Sequence, residues 1–155
     1  IPLFTEKDYF TGNALSADFT GEGWREFLGF PDAPIFEPET AGNKLAELAG
    51  EYDFSFFEYW ASDYAGHKQD MEWAVKQLEI LDGVLKGLFE NWETANGLVL
   101  ITSDHGNMED LSTRKHTDAP VPLLLFGDRN LRTEFKREIN DLTSIAPAIS
   151  SFLKI

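Results

Sequence analysis

The stretch from Asp70 to Trp92 constrains the fold more than any other part of the sequence. Its apolar residues recur at steps of three and four, which predicts one long helix with a single buried face. The residues of that face are Met71, Ala74, Val75, Leu78, Leu81, Leu85, Leu88, Phe89 and Trp92. Because a helix of this kind must cover its apolar stripe, the chain is expected to fold around a hydrophobic core.

Two short apolar runs follow this helix. Leu98-Val99-Leu100-Ile101 leads to Asp104-His105-Gly106, and the run from Val121 to Phe126 stops at Gly127-Asp128. Continuous apolar runs of this length are typical of parallel strands that are covered on both faces. Pro122 places the second run at a strand start or at an edge of the sheet.

Helix-terminal residues and aromatic content predict two earlier elements. Pro and acidic residues at 37–40, followed by Gly50, are the termini that a short helix prefers. The segment from Asp53 to Trp60 is aromatic-rich and bounded by glycine and polar residues, which predicts a strand.

Helices are also expected at 132–139 and from about Thr143 to Leu153, whereas residues 1–35 show no sustained periodicity. The order of helices and strands predicts an α/β fold with three layers and a mostly parallel sheet. We expect residues 1–155 to form a single α/β metal-binding domain.

Composition excludes several classes of function. Among 155 residues, 27 Asp and Glu stand against 13 Lys and Arg, and the net charge of −14 repels nucleic acid and anionic membranes. No stretch reaches the roughly 20 apolar residues that a membrane helix needs. The absence of cysteine excludes thiolate nucleophiles and thiolate metal ligands. We expect a cytoplasmic protein that has no nucleic-acid or membrane partner.

Residues that can ligate metal follow two of the predicted strands. Asp63 and His67 stand four residues apart after the first strand, close enough to hold one ion where a helical turn begins. Asp104 and His105 follow the second strand, and His116 precedes the last one. Ligands of open α/β sheets bind beyond the carboxyl ends of the strands, so these residues are expected to meet at one rim.

Imidazole and carboxylate ligands without thiolate suit borderline divalent ions such as Zn²⁺ or Mn²⁺. Five ligands exceed one tetrahedral site, and paired ions can clamp the attacking and leaving oxygens of a displacement at phosphorus. Structural alternatives stay open for each motif taken alone. Asp63 can cap a helix, residues 104–106 can form a polar turn, and His116 can be a surface residue.

The motifs and their order resemble the C-terminal metal-binding half of the alkaline phosphatase superfamily. The pattern is Asp63-x-x-x-His67, then Ser103-Asp104-His105-Gly106-Asn107, then His116-Thr117 before Pro120-Val121-Pro122. The similar branch contains phosphopentomutases and cofactor-independent phosphoglycerate mutases. The segment Gly66-His67-Lys68-Gln69-Asp70 is similar to the Gly-His-Arg-Arg-Asp segment of phosphopentomutases. The resemblance covers the chain from about Asp53 to its end.

The resemblance implies an alkaline phosphatase-like fold and metal-dependent phosphoryl transfer on a small phosphorylated substrate, by a phosphomonoesterase or a phosphomutase. It implies that Asp63, His67 and His116 hold one divalent ion. It implies that Asp104 and His105 hold a second ion.

The family also uses an Asp from its first strand and a Ser or Thr nucleophile, and the sequence offers no counterpart of either. We therefore expect the chain to be the C-terminal part of a larger enzyme, inactive without the missing N-terminal half.

Four further residues are weaker candidates. Lys68, Arg114 and Lys115 are the cations beside the motifs and could hold a phosphate or sugar oxygen, with a solvated surface position as the alternative. Asp70 could orient the imidazole of His67, or it could cap the long helix. No catalytic role is predicted for the polar residues that extend the second motif, Asn107, Glu109 and Asp110.

Other functions stay open. A non-catalytic metal-binding or assembly module could keep the same fold without turnover. A sulfatase or phosphodiesterase of the same superfamily would share these ligands but differ in its nucleophile. An acidic cation-binding protein without this fold would lack the long helix and the apolar strands.

Overall fold

A computed structural model describes residues 3–94 and 97–155. The chain divides into two compact units, each described here by itself. The first unit comprises Ile1–Asn91 and Asn107–Lys115, and the second comprises Trp92–Gly106 and His116–Ile155. None of the helices in the described ranges combines the length and the apolar character needed to cross a membrane.

The first unit is helical. Its helices are α1 (Glu6–Phe10), α2 (Glu22–Glu26), α3 (Pro38–Ala49), α4 (Ala61–Lys68) and α5 (Met71–Asn91). The short helix predicted before Gly50 and the long amphipathic helix are therefore confirmed as α3 and α5.

The backbones of α3 and α5 lie in direct contact because each helix has a glycine where the two cross, Gly42 in α3 and Gly87 in α5. A Cβ atom on Gly42 would lie 2.0 Å from the carbonyl oxygen of Val84, and one on Gly87 would lie 2.1 Å from that of Glu39. Val84 is fully buried at this contact and packs in one cluster with Phe19 and Ala41. The two helices thus form the centre of the first unit.

Residues 3–36 form a second, aromatic cluster. The ring of Tyr9 stacks on Trp24 with centroids 4.7 Å apart, and its hydroxyl donates to the carbonyl of Pro34 at 2.5 Å. Burial raises the pKa of the Tyr9 phenol above its usual value. The two short helices α1 and α2 carry this pair, which explains why the segment shows no long periodicity.

The strand predicted over Asp53–Trp60 is wrong, since the structure pairs this segment with no neighbour among the described residues. Two of its side chains, Phe57 and Tyr59, do turn inward. The ring of Phe57 stacks on Phe19 at 4.4 Å, and Tyr59 donates to the amide oxygen of Gln77 at 2.8 Å. Aromatic content favoured a strand, but a strand also needs a hydrogen-bonded partner, which local sequence does not supply.

The second unit combines a small sheet with two helices. Its elements are β1 (Leu98–Thr102), β2 (Leu123–Gly127), α6 (Arg129–Arg137), a 3-10 turn (Leu142–Ser144) and α7 (Ile145–Leu153). Both apolar runs are therefore confirmed as strands. The helix expected at 132–139 begins earlier because Asp128 caps it, accepting a hydrogen bond from the backbone of Asn130 at 2.8 Å.

The mostly parallel, three-layer sheet is not what the structure shows for these strands. β1 and β2 pair antiparallel, with Leu100 opposite Leu125, and they form the sheet of the described residues. A parallel return needs a crossover, usually a helix, but residues 103–122 contain none. Instead the chain doubles back through an antiparallel bridge between Gly106 and Thr117. Apolar runs are compatible with either direction, so the sequence pattern did not decide it.

We predict that Gly87→Ala destabilises the first unit. At an exposed position in the middle of a helix, replacing glycine by alanine stabilises the helix by up to about 1 kcal/mol. At position 87 the new methyl group would instead overlap the backbone of Glu39. The net loss in the free energy of unfolding should be about 1–3 kcal/mol, as for other overpacked contacts. Chemical denaturation measures it. Asp82→Ala, at an exposed position of the same helix, is the control and should change stability by less than about 0.5 kcal/mol.

Candidate metal centre

Helix α4 carries the first predicted ligand pair. Asp63 lies in its first turn and His67 in its last, and the i,i+4 spacing places both on one face. His67 Nε2 lies 3.4 Å from Asp63 Oδ2, and both side chains are about two-fifths exposed, at 41% and 43%. The structure therefore confirms that these two side chains converge.

A backbone contact determines which nitrogen of His67 faces Asp63. Nδ1 lies 2.7 Å from the carbonyl oxygen of Arg114, which can only accept, so Nδ1 carries the proton. In the neutral ring Nε2 then presents a lone pair to the carboxylate of Asp63. A cation shared between two such acceptors, either a proton or a metal ion, would stabilise this arrangement.

The spacing of this pair suits a metal ion. Two ligand atoms that share a tetrahedral ion at about 2.1 Å lie about 3.4 Å apart, which is the distance between His67 Nε2 and Asp63 Oδ2. Histidine ligands commonly donate their second ring N–H to a backbone carbonyl, as His67 does to Arg114. The residues present thus fit the metal that the sequence predicts.

Asn107 holds Asp63 in place and was missed as a functional residue by the sequence reasoning. It is 5% exposed, and its Nδ2 donates to the backbone carbonyl of Asp63 at 3.2 Å and also to its carboxylate. Gly66 makes room for it, because a Cβ there would overlap the Asn107 amide. The position of Asn107 directly after the Asp104-His105-Gly106 motif was the available sequence signal for a functional role. No local pattern, however, predicts its contact with α4.

The second unit gathers the other three predicted ligands. His105 Nε2 lies 3.3 Å from Asp104 Oδ2. The rings of His105 and His116 stack with centroids 3.5 Å apart and planes 16° from parallel. The bridge between Gly106 and Thr117 brings them together, since each histidine precedes one of its residues.

The environment of His105 also suits a cation. Its Nδ1 is buried and has no hydrogen-bond partner among the described residues. Leaving a buried polar atom unpaired costs about 1–3 kcal/mol, and a bound ion would remove that cost.

The predicted ligands are thus found as two local groups. Asp63 lies with His67 in the first unit, and Asp104 and His105 lie with His116 in the second. The complete five-residue, two-ion site stays a prediction.

The weaker candidates have local contacts. The ammonium of Lys68 lies 5.1 Å from the ring centroid of Tyr64. Lys115 is exposed. Asp70 accepts a hydrogen bond from the backbone of Trp73 at 3.0 Å, which caps α5, the alternative left open for it.

Arg114 donates from Nε to the side-chain oxygen of Gln69 at 3.0 Å. The substrate contacts predicted for Lys68, Arg114 and Lys115 stay predictions.

Comparison with known proteins places the chain in a family. Residues 37–155 match the model of the Metalloenzyme superfamily. The chain is 31% identical over 160 residues to the 2,3-bisphosphoglycerate-independent phosphoglycerate mutases of Escherichia coli strain K12, E. coli O6:K15:H31 strain 536 and Shigella flexneri. These matches cover 94% of the chain and 30% of each relative. No solved structure matches significantly.

The chain belongs to the Metalloenzyme superfamily. This membership confirms the resemblance to alkaline phosphatase-superfamily metalloenzymes that the motifs predicted. The chain spans about 30% of the length of the curated relatives that it matches.

We predict that Asn107→Asp disturbs the candidate metal centre more than Asn107→Ala. Alanine removes the hydrogen bonds to Asp63 and should cost about 1–3 kcal/mol of unfolding free energy. Aspartate places a second carboxylate against that of Asp63, so Asn107→Asp should lose more unfolding free energy than Asn107→Ala at pH 7. The difference between the two variants should shrink at lower pH, where a proton shared by the two carboxylates reduces their repulsion. Denaturation at pH 7 and pH 5 tests this.

The control for both variants is Asn130→Ala, at an exposed position of α6. If Asn107→Asp is as stable as Asn107→Ala at pH 7, the side chain of residue 107 does not contact the carboxylate of Asp63.

Proposed function

We propose that the chain supplies metal ligands to a metal-dependent phosphoryl-transfer enzyme, most specifically a phosphomutase that acts on phosphoglycerate or a similar small phosphorylated acid. The observation that carries this proposal is the His67–Asp63 pair, in which the ring proton points to a carbonyl and the lone pair to a carboxylate. Family membership and the similarity to phosphoglycerate mutases supply the reaction class.

The proposed ligands are those of the sequence analysis. Asp63, His67 and His116 would hold one divalent ion, and Asp104 and His105 the other, with Mn²⁺ or Zn²⁺ as the preferred metals. This grouping rests on the family resemblance. When bound, the ions would lower the pKa of a nucleophile and offset negative charge on the phosphoryl oxygens.

The side chains around these ligands do the positioning. Asn107 holds the carboxylate of Asp63, and the carbonyl of Arg114 fixes the tautomer of His67, so both ligands are aimed before the metal binds. Lys68, the last residue of α4, and Lys115, in the 107–115 segment, add positive charge that would attract an anionic substrate.

The nucleophile and the remaining ligands are proposed to lie in a part of the protein outside this sequence, since the relatives are about three times as long. The same part would complete the three-layer, mostly parallel sheet of the alkaline phosphatase-like fold and the single domain expected from the sequence.

We predict that the full-length protein binds Mn²⁺ or Zn²⁺ and that His116→Ala weakens the binding of one ion at least about tenfold, because a ligand is removed. Calorimetric titration and elemental analysis of the dialysed protein measure this. Glu134→Gln, which removes one exposed acidic charge on α6, serves as the matched control and should keep the wild-type stoichiometry. Unchanged metal content in His116→Ala would contradict the ligand assignment.

We also predict that the 155-residue chain alone has no turnover with added Mn²⁺ or Zn²⁺, whereas the full-length protein interconverts 2- and 3-phosphoglycerate and stops when the metal is chelated. Phosphorus NMR follows both products. Release of inorganic phosphate alone would indicate a phosphatase. Metal binding without any reaction on a panel of phosphate and sulfate esters would indicate a non-catalytic module. Robust turnover by the 155-residue chain alone would refute the proposal that the nucleophile lies outside this sequence.

A further inference from the structure

Gln69 adopts a backbone conformation that costs free energy. It ends α4 with φ 57° and ψ 31°, in the left-handed region that side-chain-bearing residues avoid. A residue with a Cβ atom is less stable in this conformation than glycine. Among the described residues, Phe19 and Lys154 are the other non-glycine residues with positive φ. Phe19 is buried in the core, where packing offsets the cost, but Gln69 is exposed.

The side chain of Gln69 has two partners in the 107–115 segment. Its Nε2 donates to the carbonyl oxygen of Leu111 at 3.0 Å, and its Oε1 accepts from Arg114 Nε at 3.0 Å. Because a carbonyl only accepts and a guanidinium only donates, the orientation of the amide is determined. The amide therefore clamps both ends of residues 111–114 to the end of α4.

The same Arg114 whose side chain is held by Gln69 offers its backbone carbonyl to His67 Nδ1 at 2.7 Å. Three hydrogen bonds thus link the turn after α4 with one short segment, and one of them sets the tautomer of His67. Each bond alone is exposed and competes with water, so none would hold the segment by itself. Together, the three hydrogen bonds hold the carbonyl of Arg114 within hydrogen-bond distance of the His67 imidazole.

We propose that Gln69 is a positioning residue for the metal centre: its amide fixes the Arg114 carbonyl and thereby aims His67 Nε2 at Asp63. The inference rests on the proposed function only in its metal-binding part, because the tautomer of His67 is a property of the metal-free chain. A residue that merely ended α4 would be replaced by glycine without loss, since glycine adopts this conformation freely.

The decisive variant is Gln69→Gly, which relieves the backbone cost while removing both amide hydrogen bonds. Lys154→Gly is the matched control, because Lys154 ends α7 in the same conformation, with φ 59°. Both variants should unfold at or above the wild-type denaturant midpoint. Nitrogen-15 spectra of the imidazole rings in the metal-free chain report which His67 nitrogen carries the proton, and calorimetry with Zn²⁺ alone reports affinity.

We expect wild type and Lys154→Gly to show the Nδ1–H form of His67, and Gln69→Gly to show a mixture of tautomers with about tenfold weaker Zn²⁺ binding. Gln69→Glu keeps the acceptor for Arg114 and should restore the Nδ1–H form. An unchanged tautomer in Gln69→Gly would overturn the proposal. A tautomer change in Gln69→Gly, together with a wild-type full-length protein that binds no Zn²⁺, would uphold the positioning role and refute the metal-binding proposal.

Discussion

The contact between α3 and α5 is the constraint on which the first unit depends. At Gly42 and Gly87 the two helix backbones approach so closely that no side chain fits between them. This contact holds the C-terminal half of α5 against α3. A two-residue turn joins α5 to α4, and the ring of Tyr64 on α4 packs edge-to-face against Trp73 on α5 with centroids 5.1 Å apart. The helix that carries Asp63 and His67 is thus packed against α5.

From α4 onward, hydrogen bonds replace apolar packing as the means of positioning. Asn107 holds Asp63, the Arg114 carbonyl holds His67, and Gln69 holds Arg114. All three come from the segment after the second metal motif or from the end of α4. In the second unit an antiparallel bridge stacks His105 on His116, and the buried Nδ1 of His105 has no hydrogen-bond partner within residues 3–94 and 97–155. Each unit thus presents ligand atoms whose hydrogen bonds and surroundings favour a cation.

Much of the candidate site could be read from residue types and spacing. The i,i+4 pair Asp63 and His67 lies on one helical face, because helical periodicity acts over a few residues. The stacking of His105 on His116 depends instead on the bridge between Gly106 and Thr117. The residues that orient these ligands could not be found in this way. Asn107 lies 44 positions from Asp63 and Arg114 lies 47 from His67, and no local pattern records such contacts.

The sequence by itself determined the positions of α3, α5, β1 and β2, the acidic charge and the family, since periodicity, capping residues and motif order are properties of neighbouring residues. Only the tertiary structure decided that β1 and β2 run antiparallel, that residues 53–60 find no strand partner in the described chain, and which ring nitrogen of His67 faces the carbonyl of Arg114. The physical reason is that strand pairing and side-chain orientation depend on hydrogen-bond partners supplied by distant segments. The same local pattern of apolar and polar residues is compatible with several such partners.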